Sequence, residues 1–278
     1  MAKLKKQHMT IHWKAIVQDD SSIPATEATL KEKATLVGRI GLMMLSVGTG
    51  AWRVRNSMNK VARCLGITCT ADIGLLAISY TCIEGTDTYT QSISLPTTGV
   101  NTHKLMELEL FMKEFPDKVS TYSVKHIHEV LDEIQKLPAN YKAWNLGLAS
   151  ALACGAFTFL LGGGPVEMCC AFLGAGVGNF VRKKMLGHSI SLLANVAVSV
   201  AASCLVYVLT ILLAQSLLSV SAVHQAGYIC AMLFVIPGFP LITGGIDLAK
   251  LDLRSGLERV SYALLIILTA TMTGWATA

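Results

Sequence analysis

The pattern of hydrophobic and polar positions changes character near residue 138. Before it, apolar residues recur at helix or strand spacing among many charges, whereas beyond Tyr141 they form long runs. We therefore predict a polar tail over residues 1–25, a small α/β domain over 26–137 and a transmembrane domain over 138–278. The first residues include lysines but no continuous apolar segment, which is not the pattern of a signal peptide.

In the α/β domain, the spacing predicts two helices, then strands, then two more helices. Leu30, Val37, Ile40 and Met44 lie near one face of the first helix. The turn "EGTD" separates two segments rich in β-forming residues, so two or three strands in a hairpin or meander are expected. The final helices are predicted in "HKLMELELFMKEF" and "TYSVKHIHEVLDEIQKL".

The apolar runs predict five transmembrane helices. A helix needs about 20 apolar residues to cross a hydrocarbon core of ~30 Å, so the second run is short for a span. The predicted spans cover residues 143–162, 166–181, 189–214, 225–246 and 260–276. The fold class is thus an α-helical integral membrane protein preceded by a small cytosolic α/β domain.

Basic residues support this count. With five spans, every Lys and Arg from residue 136 onward falls on one side of the membrane: Lys136, Lys142, Arg182, Lys183, Lys184, Lys250, Arg254 and Arg259. The positive-inside rule then places the N-terminal domain in the cytoplasm and Ala278 outside. The formal charge of +5 is accordingly loop charge and gives no indication of a nucleic-acid partner.

The fourth run contains "VIPGFPL", with Pro237, Gly238, Phe239 and Pro240 at membrane depth. Irregular backbone is tolerated there only where it is buried in protein or lines a wet cavity. A half-helix beginning near Pro240 would point its N–H groups and positive dipole end at a carboxylate, as in many transporters. The alternative is a proline kink that only helps packing.

Polar residues in the second and third spans are further candidates for substrate contact. Ser191, Asn195, Ser199, Ser203 and Tyr207 recur every four residues and so share one stripe of the third helix. The stripe could line a translocation path, with Asn195 and Ser199 contacting substrate, or could hydrogen-bond between helices. Asn179 follows a GxxxG packing motif in the second span and is a third candidate.

Charged residues after the fourth span could gate or couple transport. Asp247, Lys250 and Arg254 are the candidates, and an ordinary charged loop that anchors helix ends is the alternative. No metal or cofactor is expected, since His126 and His128 point in different directions on a helix. No catalytic motif and no CxxC pair occur, so we predict a non-enzyme with buried free thiols.

Four segments resemble the threonine/serine exporter family. They are "GTGAWRVRNSMNKVARCLGI", "GVNTHKLMELE", the glycine-rich second span and "LFVIPGFPLITGGIDLAKLDLRSGLERV". The resemblance implies an inner-membrane exporter of threonine and serine or, in some members, of dicarboxylates. Because the chain stops at Ala278 after five predicted spans, it resembles the split type, in which a second small membrane subunit completes the transporter.

The leading hypothesis is a subunit of an inner-membrane exporter of small carboxylated metabolites. The substrate would be an amino acid like threonine or serine, or a dicarboxylate such as succinate, held at the broken fourth helix. Expected partners are the substrate, the lipid bilayer, the second subunit and possible further copies of the chain. The alternatives are a membrane-anchored enzyme whose α/β domain acts on a metabolite, and a non-transporting scaffold or sensor.

Overall fold

The computed structural model describes residues 13, 23–138, 141–186, 190–218 and 225–278, so most of the predicted tail lies outside the described residues. The chain forms two compact units. The sheet unit comprises Met1–Ala139 and Phe239–Val260, and the helical unit comprises Asn140–Gly238 and Ser261–Ala278. The domain boundaries expected from the sequence stay a prediction.

The sheet unit contains the predicted helices and a three-stranded antiparallel meander in the order β1-β2-β3. Its N-terminal elements are α1 (Leu30–Ser46), α2 (Ala51–Cys64), β1 (Thr68–Ile73), β2 (Ala77–Glu84), β3 (Asp87–Ser94), α3 (Thr102–Lys118) and α4 (Val124–Lys136). The unit also includes α9 (Gly238–Ala249), apart from its first residue, and the beginning of α10 (Leu253–Ala276). The helices and the meander predicted for the N-terminal half are confirmed.

The core of the sheet unit follows from the helical spacing of α1. Thr29 and Glu32 form a capping box at its start, which satisfies backbone N–H groups of the first turn. Val37, Ile40 and Met44 are fully or almost fully buried, and α1 contacts α2, α4, β2 and β3. This packing fixes the position of the loop between α1 and α2, and the residue after that loop, Ala51, binds Asp247.

The helical unit is built around α6. Its elements are α5 (Ala143–Leu160), α6 (Pro165–Met185), α7 (Leu192–Leu218), the short α8 (Ala226–Ala231), a 3-10 turn (Leu233–Val235) and the end of α10. Helix α6 packs against α5, α7 and α8. At Gly174 an added Cβ would lie 2.8 Å from the Ser203 carbonyl oxygen, so this glycine permits the close approach of α6 and α7.

Three described helices are long and apolar enough to cross a membrane: Ala143–Leu160, Leu192–Leu217 and Leu253–Ala276. The pair Ala226–Val235 and Gly238–Ala249 adds a fourth if it forms one broken span. Helix α6 is not among them, because polar groups such as Glu167, Asn179 and Arg182 lower its mean hydropathy. Five spans and their orientation therefore stay a prediction.

Candidate functional site

The predicted helix break lies at Ile236 and Pro237. Helix α8 ends at Ala231, the 3-10 turn ends at Val235, and α9 begins at Gly238. Pro240 lies in the first turn of α9, where a missing N–H is harmless. The interruption agrees with the sequence pattern, and the substrate-binding role of residues 237–240 stays a prediction.

Arg182 binds the main chain just before this break. Its Nη1 donates a hydrogen bond to the carbonyl oxygen of Phe234 at 3.0 Å, and the residue is half-buried in the last turn of α6. Within residues 141–186, 190–218 and 225–278, no carboxylate pairs with this guanidinium. Sequence reasoning assigned Arg182 to a charged loop and missed it as a site residue.

Asn195 lies beside Arg182 and keeps one polar atom unsatisfied. Its Nδ2 donates to the carbonyl oxygen of Arg182 at 3.3 Å. Because that oxygen can only accept, the orientation of the amide is set and Oδ1 is left as an acceptor. Among the described residues Oδ1 has no hydrogen-bond partner, although the relative exposure of Asn195 is only 3%.

The other predicted polar residues of the helical unit have local partners. Ser199 Oγ donates to the Val196 carbonyl oxygen of its own helix at 2.9 Å, and Ser203 Oγ donates to the Ala231 carbonyl oxygen at 2.7 Å. Asn179 Nδ2 donates to the Leu146 carbonyl oxygen at 3.1 Å and also to Ser150. The contacts of Ser203 and Asn179 join helices and that of Ser199 lies within α7. Within the described part of the chain, Asn195 is therefore the one of these residues with an unsatisfied polar atom, and the substrate-binding roles stay predictions.

Asp247 caps a helix of the sheet unit. The residue is fully buried, and its carboxylate accepts from the backbone N–H of Ala51 at 3.0 and 3.1 Å. The N-cap residue of α2 is Gly50, which offers no side chain, so Asp247 supplies the negative charge at this helix N-terminus.

Two further side chains bind the Asp247 carboxylate. Ser255 Oγ donates to it at 3.0 Å, and Arg259 Nε lies 3.2 Å from Oδ2. Arg259 in turn donates through Nη2 to the Thr49 carbonyl oxygen at 2.7 Å. Asp247 and Arg259 thus form a buried pair whose hydrogen bonds are satisfied on both sides.

Residues 247–259, here called the clasp segment, make several other polar contacts in the sheet unit. Asp252 binds Arg55 through two bonds of 2.6 and 3.0 Å, and this hydrogen bonding raises the pKa of Arg55. Arg254 pairs with Asp72, and Lys250 Nζ lies 4.5 Å from the ring centroid of Trp52. The three predicted gating residues are therefore part of one anchored segment.

Helices long and apolar enough to cross a membrane, together with buried polar side chains such as Asn195 and Ser203, are typical of helical membrane transport proteins. Residues 35–278 match the family described as "Putative threonine/serine exporter", so the chain belongs to the threonine/serine exporter family. This confirms the resemblance seen in the sequence.

Two relatives carry the name "Probable succinate transporter subunit YjjP". The protein from Klebsiella aerogenes is 25% identical over 230 residues, which cover 82% of this chain and 85% of the relative. The protein from Escherichia coli K12 is 24% identical over 235 residues, which cover 84% and 88%. No solved structure matches the chain.

Proposed function

We propose that the chain is a subunit of an exporter whose substrates are small carboxylates, bound through Arg182. The observation that carries this proposal is a half-buried guanidinium at the helix break, paired with no carboxylate of the described residues. Removing a charged side chain from water costs free energy unless the charge is paired and hydrogen-bonded. A substrate carboxylate is a suitable partner for Arg182.

The guanidinium retains donors for such a ligand. Arginine offers five N–H donors, and one hydrogen bond from Arg182, to Phe234, is seen in the described residues. A carboxylate can accept two parallel bonds from a guanidinium, which gives both orientation and affinity. Pro237 and Gly238 lie three and four residues after Phe234, and we propose their main chain as the second element of the site.

Asn195 distinguishes two classes of carboxylate. Its unsatisfied Oδ1 requires a hydrogen-bond donor. The ammonium and hydroxyl groups of serine or threonine can donate to it, whereas a fully ionised dicarboxylate has only acceptors. The geometry therefore favours an amino acid, while the name of the two relatives favours succinate, which we retain as the second candidate.

The clasp segment provides the proposed coupling. Asp247, Lys250 and Arg254 anchor the turn between α9 and α10, and α10 continues without interruption to Ala276. We propose that these residues gate or couple transport. The substrate-binding role predicted for Phe239 and Pro240, at the start of α9, stays a prediction.

The proposed assembly includes a second membrane subunit in the inner membrane. The relatives are named as subunits of a transporter, which supports a partner chain. The distribution of basic residues supports a cytoplasmic N-terminal domain and an external C-terminus.

A counterflow assay in liposomes tests the proposal. Serine, threonine and succinate are compared, with and without a candidate second subunit, for the wild type, Arg182→Gln and Lys183→Gln. Lys183 is the matched control, since it carries the same charge in the same helical turn. We expect at least about a tenfold loss of transport in Arg182→Gln alone, because one charge-assisted bond contributes about 1.5–3 kcal/mol. Equal transport by the two variants would refute the assignment of Arg182.

A further inference from the structure

Two cysteines face each other across neighbouring strands of the sheet unit. In the antiparallel ladder of β1 and β2, Cys69 is directly opposite Cys82. Both side chains lie on the buried face of the sheet, with relative exposures of 8% and 0%. The proposed transport function uses neither residue.

The hydrogen-bond register places this pair at a close position. The bond from the Gly74 N–H to the Ala77 carbonyl oxygen defines one hydrogen-bonded pair at the turn, at 2.8 Å. Hydrogen-bonded and non-hydrogen-bonded pairs alternate along an antiparallel ladder. Five steps from that turn, Cys69 and Cys82 fall at a non-hydrogen-bonded position.

Side chains approach most closely at such positions. The Cα atoms of a non-hydrogen-bonded pair are about 4.5 Å apart, within the range of about 4.4–6.8 Å that a disulfide spans. Between β2 and β3, the pairs Ser79–Ser92 and Thr81–Thr90 bring their hydroxyl oxygens to 3.0 and 2.9 Å. Side chains at opposite positions of β2 and β3 are therefore in contact.

We propose that Cys69 and Cys82 are a reversible disulfide site whose oxidant is a small hydroperoxide. Cys69 lies on β1, an edge strand of the described sheet, and is the more exposed of the two thiols. Because only 8% of Cys69 is exposed, a small oxidant such as hydrogen peroxide is expected to reach it more readily than a bulky disulfide reagent.

The reaction proceeds in two steps. The Cys69 thiolate attacks a peroxide oxygen, the O–O bond breaks, and a sulfenic acid and one water form once the leaving hydroxide takes a proton. The Cys82 sulfur then attacks the sulfenic sulfur and displaces a second water. Two thiols and one hydrogen peroxide thus yield one disulfide and two waters. A hydrogen bond with Cys82 lowers the pKa of Cys69, which supports Cys69 as the nucleophile.

The sequence makes the test direct. Trypsin cleaves after Arg63 and Lys104, so Cys64, Cys69 and Cys82 remain on one peptide. The purified full-length protein is treated with hydrogen peroxide, denatured in SDS with N-ethylmaleimide, digested and analysed by mass spectrometry. Cys64 is the internal control, since it is only partly buried and lies outside the ladder.

We expect the peptide to carry one maleimide, on Cys64, and to lose about 2 Da from its remaining thiols. Dithiothreitol before alkylation should restore three maleimides. In Cys82→Ala, the reversible loss should disappear. Three maleimides after peroxide treatment, or a link between Cys64 and Cys69, would overturn the proposal. The wild-type mapping decides the question even if the variant fails to fold.

Discussion

The buried polar groups of the clasp segment have hydrogen-bond partners, whereas one polar atom beside the helix break has none among the described residues. In the clasp segment, Asp247 accepts from Ala51 and Ser255 and pairs with Arg259. Beside the break, the acceptor Oδ1 of Asn195 has no described partner, and Arg182 pairs with no carboxylate of the described chain. Within the described part of the chain, the first arrangement has all of its partners and the second leaves one acceptor unsatisfied.

This difference indicates which cluster has a polar atom that a substrate could satisfy. A buried polar atom without a partner costs about 1–3 kcal/mol, and a native fold rarely retains such an atom without compensation. Our proposal is that a bond to a substrate compensates for it at Asn195. The carboxylate of Asp247 has no comparable deficit, so any role of Asp247 in transport is predicted to act through the position of the clasp segment.

The largest effect is expected at Asp247. Replacement by Asn removes the charge that neutralises Arg259, and breaking one side of a buried ion pair costs about 3–5 kcal/mol of the free energy of unfolding. Denaturant unfolding of the purified protein measures it. Lys250→Ala is the control, since loss of an exposed cation–π contact with Trp52 costs about 0.5–1 kcal/mol. Equal losses of stability in the two variants would contradict the assignment of Asp247 to a buried ion pair with Arg259.

His128 tests whether an unsatisfied nitrogen is enough to identify a ligand site. Its Nε2 has no partner among the described residues, while Nδ1 lies 2.8 Å from Arg39 Nη1. Burial, reinforced by the charge of Arg39 and opposed by that of Asp132, lowers the pKa of His128 to about 3. In the unfolded chain its pKa is about 6.5.

Stability contributed by neutral His128 is therefore fully present above pH 6.5 and is lost as pH falls towards 3. Between pH 7 and pH 5 we expect the free energy of unfolding to drop by about 2 kcal/mol from this residue, and His128→Gln to remove that drop. Unfolding curves at both pH values measure the difference. The same pH response in both proteins would show that His128 titrates normally, and a change in substrate KM would assign it to a ligand site.

Asn195 should affect substrate choice more than stability. In Asn195→Ala, loss of the Oδ1 acceptor should raise the KM for serine about tenfold and leave that for succinate within about twofold, because one bond to a charged donor contributes about 1.5–3 kcal/mol. Counterflow kinetics test this. Ser199→Ala is the matched control on the same stripe, since its hydroxyl bonds to its own helix. If the two variants have the same KM values, Asn195 does not contact the substrate.

The smallest effect is expected at Leu251, at the end of α9. This residue has a φ of 63°, in the left-handed region that disfavours side chains, and its side chain is 81% exposed. Leu251→Gly should raise the free energy of unfolding by about 1 kcal/mol. Leu251→Ala keeps the Cβ and so keeps the backbone strain. It therefore separates the release of strain from the loss of the leucine side chain. A similar gain in both variants would rule out strain as the cause.

Periodicity and breakers predicted the helices, the meander and the interruption at Pro237. The stripe of Asn195, Ser199 and Ser203 is buried, and its role as a translocation path or as a set of contacts between helices stays a prediction. These features are local, because spacing along one helix or strand decides them.

Arg182 and the partners of Asp247 could not be predicted in the same way. A basic residue in the last turn of α6, followed by Lys183 and Lys184, has the pattern of an ordinary interface charge. Only the contact with Phe234, far along the chain, distinguishes it. Asp247 contacts Ala51, nearly two hundred residues away in the sequence. Residue spacing along the chain cannot predict a contact between positions so far apart.

The most direct test measures stability and transport together in Asp247→Asn and Arg182→Gln. The account predicts that Arg182→Gln lowers the free energy of unfolding by no more than about 3 kcal/mol, the contribution of its one bond to Phe234, and lowers transport at least about tenfold. Asp247→Asn should lose stability, while the fraction that remains folded keeps the wild-type KM. The account would be contradicted if Asp247→Asn were stable but altered in KM, and Arg182→Gln unstable but normal in transport.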